Sequence, residues 1–130
     1  MRILVCGSRG ASTSFVVDRL DHLLGQVYRG TKTIIHGAAR GADTGAGMLA
    51  RHLGLFEESY PAAWERDGKA AGPIRNQRML DEGDPDRVIA FWDGKSKGTL
   101  DMISRATAAG IQVWIEPLQS QEPAQGELGL

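Results

Sequence analysis

"RILVCGSRGASTSF", Arg2 to Phe15, changes character twice in fourteen positions. The apolar run Ile3–Cys6 reads as a buried strand, and it ends at the turn "GSRG". Next, "ASTS" offers hydroxyl caps for a helix whose Phe15, Val16, Leu20, Leu23 and Leu24 share one face. A strand, a glycine turn and a helix in that order form the opening of a βαβ unit.

The same alternation continues along the chain. "KTIIH" is a second β-branched run, closed by "GAARGAD", after which Ala46, Met48, Leu49, Ala50 and Leu53 trace a helix ending at Gly54. "LFEESY" is a weaker third strand. "PAAWERDGKAAGP" is too rich in Gly, Pro and Ala to be regular, so a long loop is expected there. Helical spacing resumes at "IRNQRML", with Pro73 suited to a first turn because its missing N–H would be unpaired there. "DRVIAFW" is a strand, "DGKSKGT" a turn, Thr99 to Ala109 a helix, and "IQVWI" a fifth strand. Parallel strands need crossover helices, so this order predicts an α/β, Rossmann-like, three-layer domain around a mainly parallel sheet of about five strands. The domain is expected to span residues 1–116, with 117–130 as a flexible tail.

Composition narrows the function. A chain of 130 residues suits one domain with one core, hence one site. Its 15 basic and 16 acidic residues leave a formal charge of −1, which argues against non-specific attraction of nucleic acid. The lone cysteine, Cys6, lies in an apolar strand with no metal-spaced partner, so it is read as a core residue and no metal site is expected. No apolar run approaches the ~20 residues a membrane span requires, and the N-terminus does not read as a signal peptide, so a cytoplasmic protein is expected.

In an open parallel sheet, ligands bind at the carboxyl edge where the strand order reverses. Three turns should meet there: "CGSRG", "HGAARGAD" and "DGKSKGT". Their glycines let backbone amides approach an anion, and each turn opens a helix whose positive dipole end adds to the attraction. Arg9, Arg40, Lys95 and Lys97 offer charge; Ser8, Ser96 and Thr99 offer hydroxyls, and Gly94 lies in the third turn. None of the turns has the spacing of a P-loop or of G-x-G-x-x-G. Asp43 reads either as a cap of the second helix or as a polar contact to a ribose. His36 is read as a structural, hydrogen-bonded histidine. Trp64 either stacks on a base or roofs the core, while Trp92 and Trp114, in strands, are expected in the core. Arg75, near a helix start where a cation is disfavoured, suggests a nearby anion; Asn76 and Met79 follow it at helical spacing.

Taken as an ordered set, "CGSRG", "IIHGAARGAD", "YPAAWERDGKAAGPIRNQRML", "VIAFWDGKSKGTLDMI" and "AAGIQVWI" resemble the SLOG superfamily of Rossmann-like proteins, which includes DprA/Smf and Lonely Guy proteins. The likeness runs from Met1 to Ile115 and is greatest to the YspA, cpYpsA-related group. It implies a nucleotide or nucleotide-derived ligand, such as ADP-ribose or an NAD-related molecule, with no further cofactor. The residues implied are Gly7, Ser8, Arg9, Gly37, Arg40, Gly41, Asp43, Arg75, Asn76, Gly98 and Thr99, to which the turn readings add Trp64, Gly94 and Ser96. A homodimer is also implied by analogy.

Lonely Guy enzymes carry P-G-G-x-G-T-x-x-E, whose glutamate helps to cleave a base from ribose 5-phosphate. The corresponding stretch here keeps Gly98 and Thr99 but has Met102 at the glutamate position. A thioether cannot stabilise an oxocarbenium-like state. Asp101 lies one residue earlier, about 100° around the helix, and would need a backbone shift to substitute. Ligand binding by a sensor or sequestering module is therefore the leading expectation. An N-glycosidase of nucleoside 5′-monophosphates, using Asp101, Asp43 or Glu65 with Arg75, is the second, and single-stranded DNA binding the third.

Overall fold

The structure, a computed structural model, describes residues 1–118. Strands β1 (Arg2–Gly7), β2 (Thr33–His36), β3 (Phe56–Ser59), β4 (Arg87–Trp92) and β5 (Gln112–Pro117) form one sheet in the order β3-β2-β1-β4-β5, every pair parallel. Helices α1 (Thr13–Gln26) and α2 (Ala42–Leu53) cover one face. Helices α4 (Ala71–Gly83) and α5 (Lys97–Ala108) cover the other. The α/β, Rossmann-like architecture follows from side-chain alternation along buried strands. Ile3 and Val5 of β1 pack with α1 and α2, whereas Leu4 and Cys6 pack with Met79, Leu80, Met102 and Ala106.

Caps set several helix limits. The Ser12 hydroxyl accepts from the Phe15 amide at the start of α1, and Gly54, with φ of 72°, closes α2 in the left-handed conformation. Two glycines allow the layers to meet at the sheet edge. A β-carbon on Gly7 would lie 2.6 Å from both the Ala42 side chain and the Phe91 carbonyl; one on Gly41, where φ is +75°, would lie 2.5 Å from the Ser8 carbonyl. Both positions are closed to larger residues.

The helix read through Ala46 to Leu53 and ending at Gly54 is α2, with Met48 and Leu53 on its outer side, 47% and 43% exposed. Three expectations are corrected. The segment read as a long loop folds into a short helix α3 (Trp64–Asp67) and a 3₁₀ turn (Gly68–Ala70) leading into α4, so the helix begins two residues before Pro73. Trp92 is half-buried and donates to the Ser96 carbonyl at 3.1 Å, while Trp114 is 37% exposed on the edge strand β5, where one flank has no neighbouring strand. Order also runs past residue 116: Glu116 is buried, accepting from Arg19 and Trp114 at 3.0 Å each, and Leu118 packs on the core. The rest of the expected tail, 119–130, lies outside the described residues.

Candidate functional site

Strand order reverses between β1 and β4, and their carboxyl ends open into a cleft of about 650 Å³. Its walls come from three places. The β1 turn brings Gly7 to Gly10, the β4 turn and the start of α5 bring Asp93, Ser96 to Thr99 and Asp101, and the α3–α4 segment brings Trp64, Lys69, Arg75 and Asn76. Cys6 and Met79 form part of the lining from beneath. Burial pushes the Cys6 thiol well above its ordinary pKa, as befits a core residue.

The first and third predicted turns therefore meet. The second contributes only Ala39 and Asp43 to this cleft. Gly37 and Arg40 line a neighbouring cavity of about 330 Å³, together with Ala38, Pro61 and Ala62, and Gly41 is buried against the β1 turn. Gly94 lines neither cavity. The second turn also commits three of its amides to its own side chains. Gly37 and Ala39 both donate to Asp43 Oδ2, at 3.0 and 3.1 Å, and Ala38 donates to His36 Nδ1 at 3.0 Å. A buried carboxylate needs donors, and these were the nearest. Asp43 is thus a pin for its own loop in the first turn of α2 rather than its cap. Because Nδ1 of His36 accepts, Nε2 carries the proton and meets Glu57 at 2.6 Å, as a structural histidine does.

The cleft's polar groups divide by sign. All three carboxylates are held by the protein: Asp43 as described, Asp93 by the amides of Lys95 and Ser96 at 2.8 Å, and Asp101 by Asn76 at 3.0 Å and Arg105 at 2.9 Å. The four cations are not: among the described residues, Arg9, Lys69, Arg75 and Lys97 form no salt bridge. Arg75 is the most confined of them. It donates to the Gly37 and Tyr60 carbonyls and to Asn76 Oδ1, and its Nη2 has no partner among the described residues. Burial lowers its pKa, and Arg9 lowers it further against the favourable pull of Asp43. Two guanidiniums close enough to repel favour an anion between them.

Ser8 is the clearest sign of an unfilled partner. It is 4% exposed, lines the cleft, and its hydroxyl has no hydrogen-bond partner among the described residues. It lies near enough to Asp93 to help hold that pKa down, yet without hydrogen-bond geometry. Among the described residues, the Arg9, Gly10, Lys97 and Gly98 amides in the same lining likewise find no acceptor. Ser96 and Thr99 are internally committed: Ser96 caps α5, accepting from the Thr99 amide, and the two hydroxyls lie 3.1 Å apart.

The α5 reading is also corrected. Met102 is fully buried in the core, while Asp101 already faces the cleft without any backbone shift. Glu65 is exposed and outside the cleft lining. Lys69, Gly10 and Asp93 were missed from the sequence. Lys69 lies in the segment read as irregular, and Gly10 and Asp93 lie inside turns whose other glycines and hydroxyls carry the stronger sequence signal.

An open parallel sheet with a cation-lined cleft at its switch point defines a Rossmann-like α/β class. The chain belongs to the YspA, cpYpsA-related SLOG family, whose sequence model matches residues 1–66. It is 36% identical over 119 residues to the gene 61 protein of Mycobacterium phage D29, across 86% of this chain and 93% of that one. Its fold is similar to that of DNA processing protein A (DprA) from Streptococcus pneumoniae, with a TM-score of 0.71 at 23% identity. That match covers 93% of this chain but only 52% of DprA, so the chain spans about half the length of that relative. Among the described residues no helix is long and apolar enough to cross a membrane.

Proposed function

We propose that this protein binds a nucleotide or nucleotide-derived small molecule, of the ADP-ribose or NAD-related kind, in the cleft between the β1 and β4 turns, as a cytoplasmic sensor or sequestering module. The observation that carries the reading is the buried, unpartnered Ser8 hydroxyl, set among open amides and four cations without carboxylate partners. Phosphate oxygens would satisfy all of these at once. Four cations face three carboxylates in the lining, and one of those carboxylates, Asp101, is paired with Arg105, so the balance of charge still favours an anion.

Binding is favoured over base cleavage because the residue aligned with the Lonely Guy glutamate is core methionine. Asp101 does reach the cleft, but Asn76 and Arg105 hold it as a fixed acceptor. Extended nucleic acid is disfavoured because the basic groups lie in a concavity on a chain of charge −1.

Calorimetric titration with AMP, ADP-ribose, NAD and a single-stranded oligonucleotide tests the reading. A small nucleotide is expected to bind, and Ser8→Ala to weaken it about tenfold, the value of a hydrogen bond to a charged group. The same substitution should leave the unfolding midpoint unchanged or raise it, since it removes a buried hydroxyl that has no partner. Silence across the small ligands from folded protein would overturn the proposal. Free adenine accumulating from AMP, followed by chromatography, would move it to the glycosidase reading; oligonucleotide affinity falling steeply with salt would move it to nucleic acid.

A further inference from the structure

Trp64 is 47% exposed, a large apolar surface to leave in water beside a cleft. Its position is not loose. The ring lies over Gly72, in the first turn of α4, where a β-carbon would stand in ordinary contact with it, 3.4 Å from Cη2. The turn that carries the ring is closed by the Arg66 and Asp67 amides on the Ala63 carbonyl, at 3.1 and 2.8 Å. One face of the ring is covered by the Arg9 guanidinium, 5.6 Å from the ring centroid. Arg9 comes from the β1 turn, is exposed, and makes no ion pair among the described residues. Both residues line the main cleft and the neighbouring cavity, so their stack stands between the two.

An exposed guanidinium on a tryptophan is a weak contact, and a nucleobase stacked on the same ring is a stronger one. A base would therefore displace Arg9 from Trp64. The released guanidinium belongs to the same turn as Ser8 and the open Arg9 and Gly10 amides, where the phosphate is expected.

We propose that Trp64 is the base-stacking residue of the cleft and that Arg9 is its placeholder, which yields the ring to the base and turns to the phosphate. The inference rests on the nucleotide reading given above and adds to it the part of the ligand that selects. Base and phosphate become coupled: each vacates or captures the group that the other needs. A ligand with both halves should bind more tightly than either half predicts.

Calorimetry on the full chain with AMP, adenosine and ribose 5-phosphate tests this, with Trp64→Leu, Trp64→Phe and Arg9→Gln. AMP is expected to bind at least about fivefold more tightly than ribose 5-phosphate, the lower end of what one base stack contributes. In Trp64→Leu that preference should vanish while ribose 5-phosphate binds as before or slightly more tightly; Trp64→Phe should keep most of it. Arg9→Gln should act in opposite directions, weakening AMP and strengthening adenosine. Tryptophan fluorescence should change more with AMP, which stacks a base on the ring, than with ribose 5-phosphate, which only draws Arg9 away, and Trp64→Phe should remove that difference.

Equal binding of AMP and ribose 5-phosphate by the native protein would overturn this inference and leave the cleft reading intact. So would equal losses of both ligands in Trp64→Leu, or losses of both AMP and adenosine in Arg9→Gln. Failure of all three ligands to bind the native protein would remove the cleft reading and this inference with it.

Discussion

Asp43 has a role that neither of its sequence readings contained. It does not cap its helix; its Oδ2 holds the Gly37 and Ala39 amides and so shapes the loop between β2 and α2, while the residue still lines the cleft. Burial raises its pKa, while the amide of Ala39, the nearby His36 and Arg75, and the amide of Gly37 pull the other way. An asparagine keeps an oxygen for those amides and has no charge to bury. Asp43→Asn should therefore fold with stability equal to or above that of the native protein at pH 7, whereas Asp43→Ala should lose about 2–4 kcal/mol by leaving two buried N–H groups unpaired. A raised folded-state pKa means the folded protein binds the proton more tightly than the unfolded chain, so the charged carboxylate opposes folding at neutral pH. That penalty disappears as pH falls through the raised folded pKa toward the ordinary value of 3.8. Any advantage of Asp43→Asn should accordingly be largest at pH 7 and shrink on acidification, as read from denaturant midpoints. An advantage that grows toward acid would contradict the assignment.

At the scale of elements, the start of α5 is held by a residue of α4. Asn76 is 5% exposed, and its amide nitrogen donates to the Gly98 carbonyl at 3.3 Å and to Asp101 at 3.0 Å, while its oxygen accepts from Arg75 at 3.1 Å. One side chain thus ties the α5 N-terminus, whose open amides face the cleft, to the most confined arginine. Asn76→Ala should cost roughly 2–3 kcal/mol in denaturant unfolding, because several buried partners lose their bonds together. Gln77, the next residue, bonds Asp81 and Arg105 at the half-exposed flank of α4. Gln77→Ala should stay within about 0.5 kcal/mol of native. Similar losses for the two would show that the Asn76 network does not bind the helices together. The Ala38 backbone, at φ of 59°, is a second feature of this scale: it is left-handed in a residue with a β-carbon, held there by His36 and the two bonds to Asp43.

Across the whole molecule, acid should act through β3. His36, then Arg51, holds the Glu57 carboxyl below its ordinary range, and Arg2 does the same for Glu58. A lowered folded-state pKa contributes stability that is full above the unfolded value, 4.5 for both groups, and is lost as pH falls through the folded pKa. The unfolding midpoint should therefore drop below about pH 4.5, and Glu57→Gln should lower the neutral-pH midpoint and flatten the acid limb. An acid limb of unchanged slope in that variant would place the sensitivity elsewhere.

Much of the architecture was legible because it depends on local patterns. Ile3 to Cys6, Thr33 to His36 and Val88 to Phe91 announce buried strands, and Ser12, Gly54 and Ser96 mark helix limits from their own backbone needs. These features require only the chain's near neighbours, so the parallel α/β class and the meeting of the first and third turns could be read from the sequence. Tertiary structure alone decided which polar groups were already occupied. Asp43 closes the second turn from within, Asp101 rather than Met102 looks into the cleft, and Ser8 is left buried without a partner. Whether a donor is free depends on distant residues brought within about 3 Å of it, and that information exists only once the layers have packed.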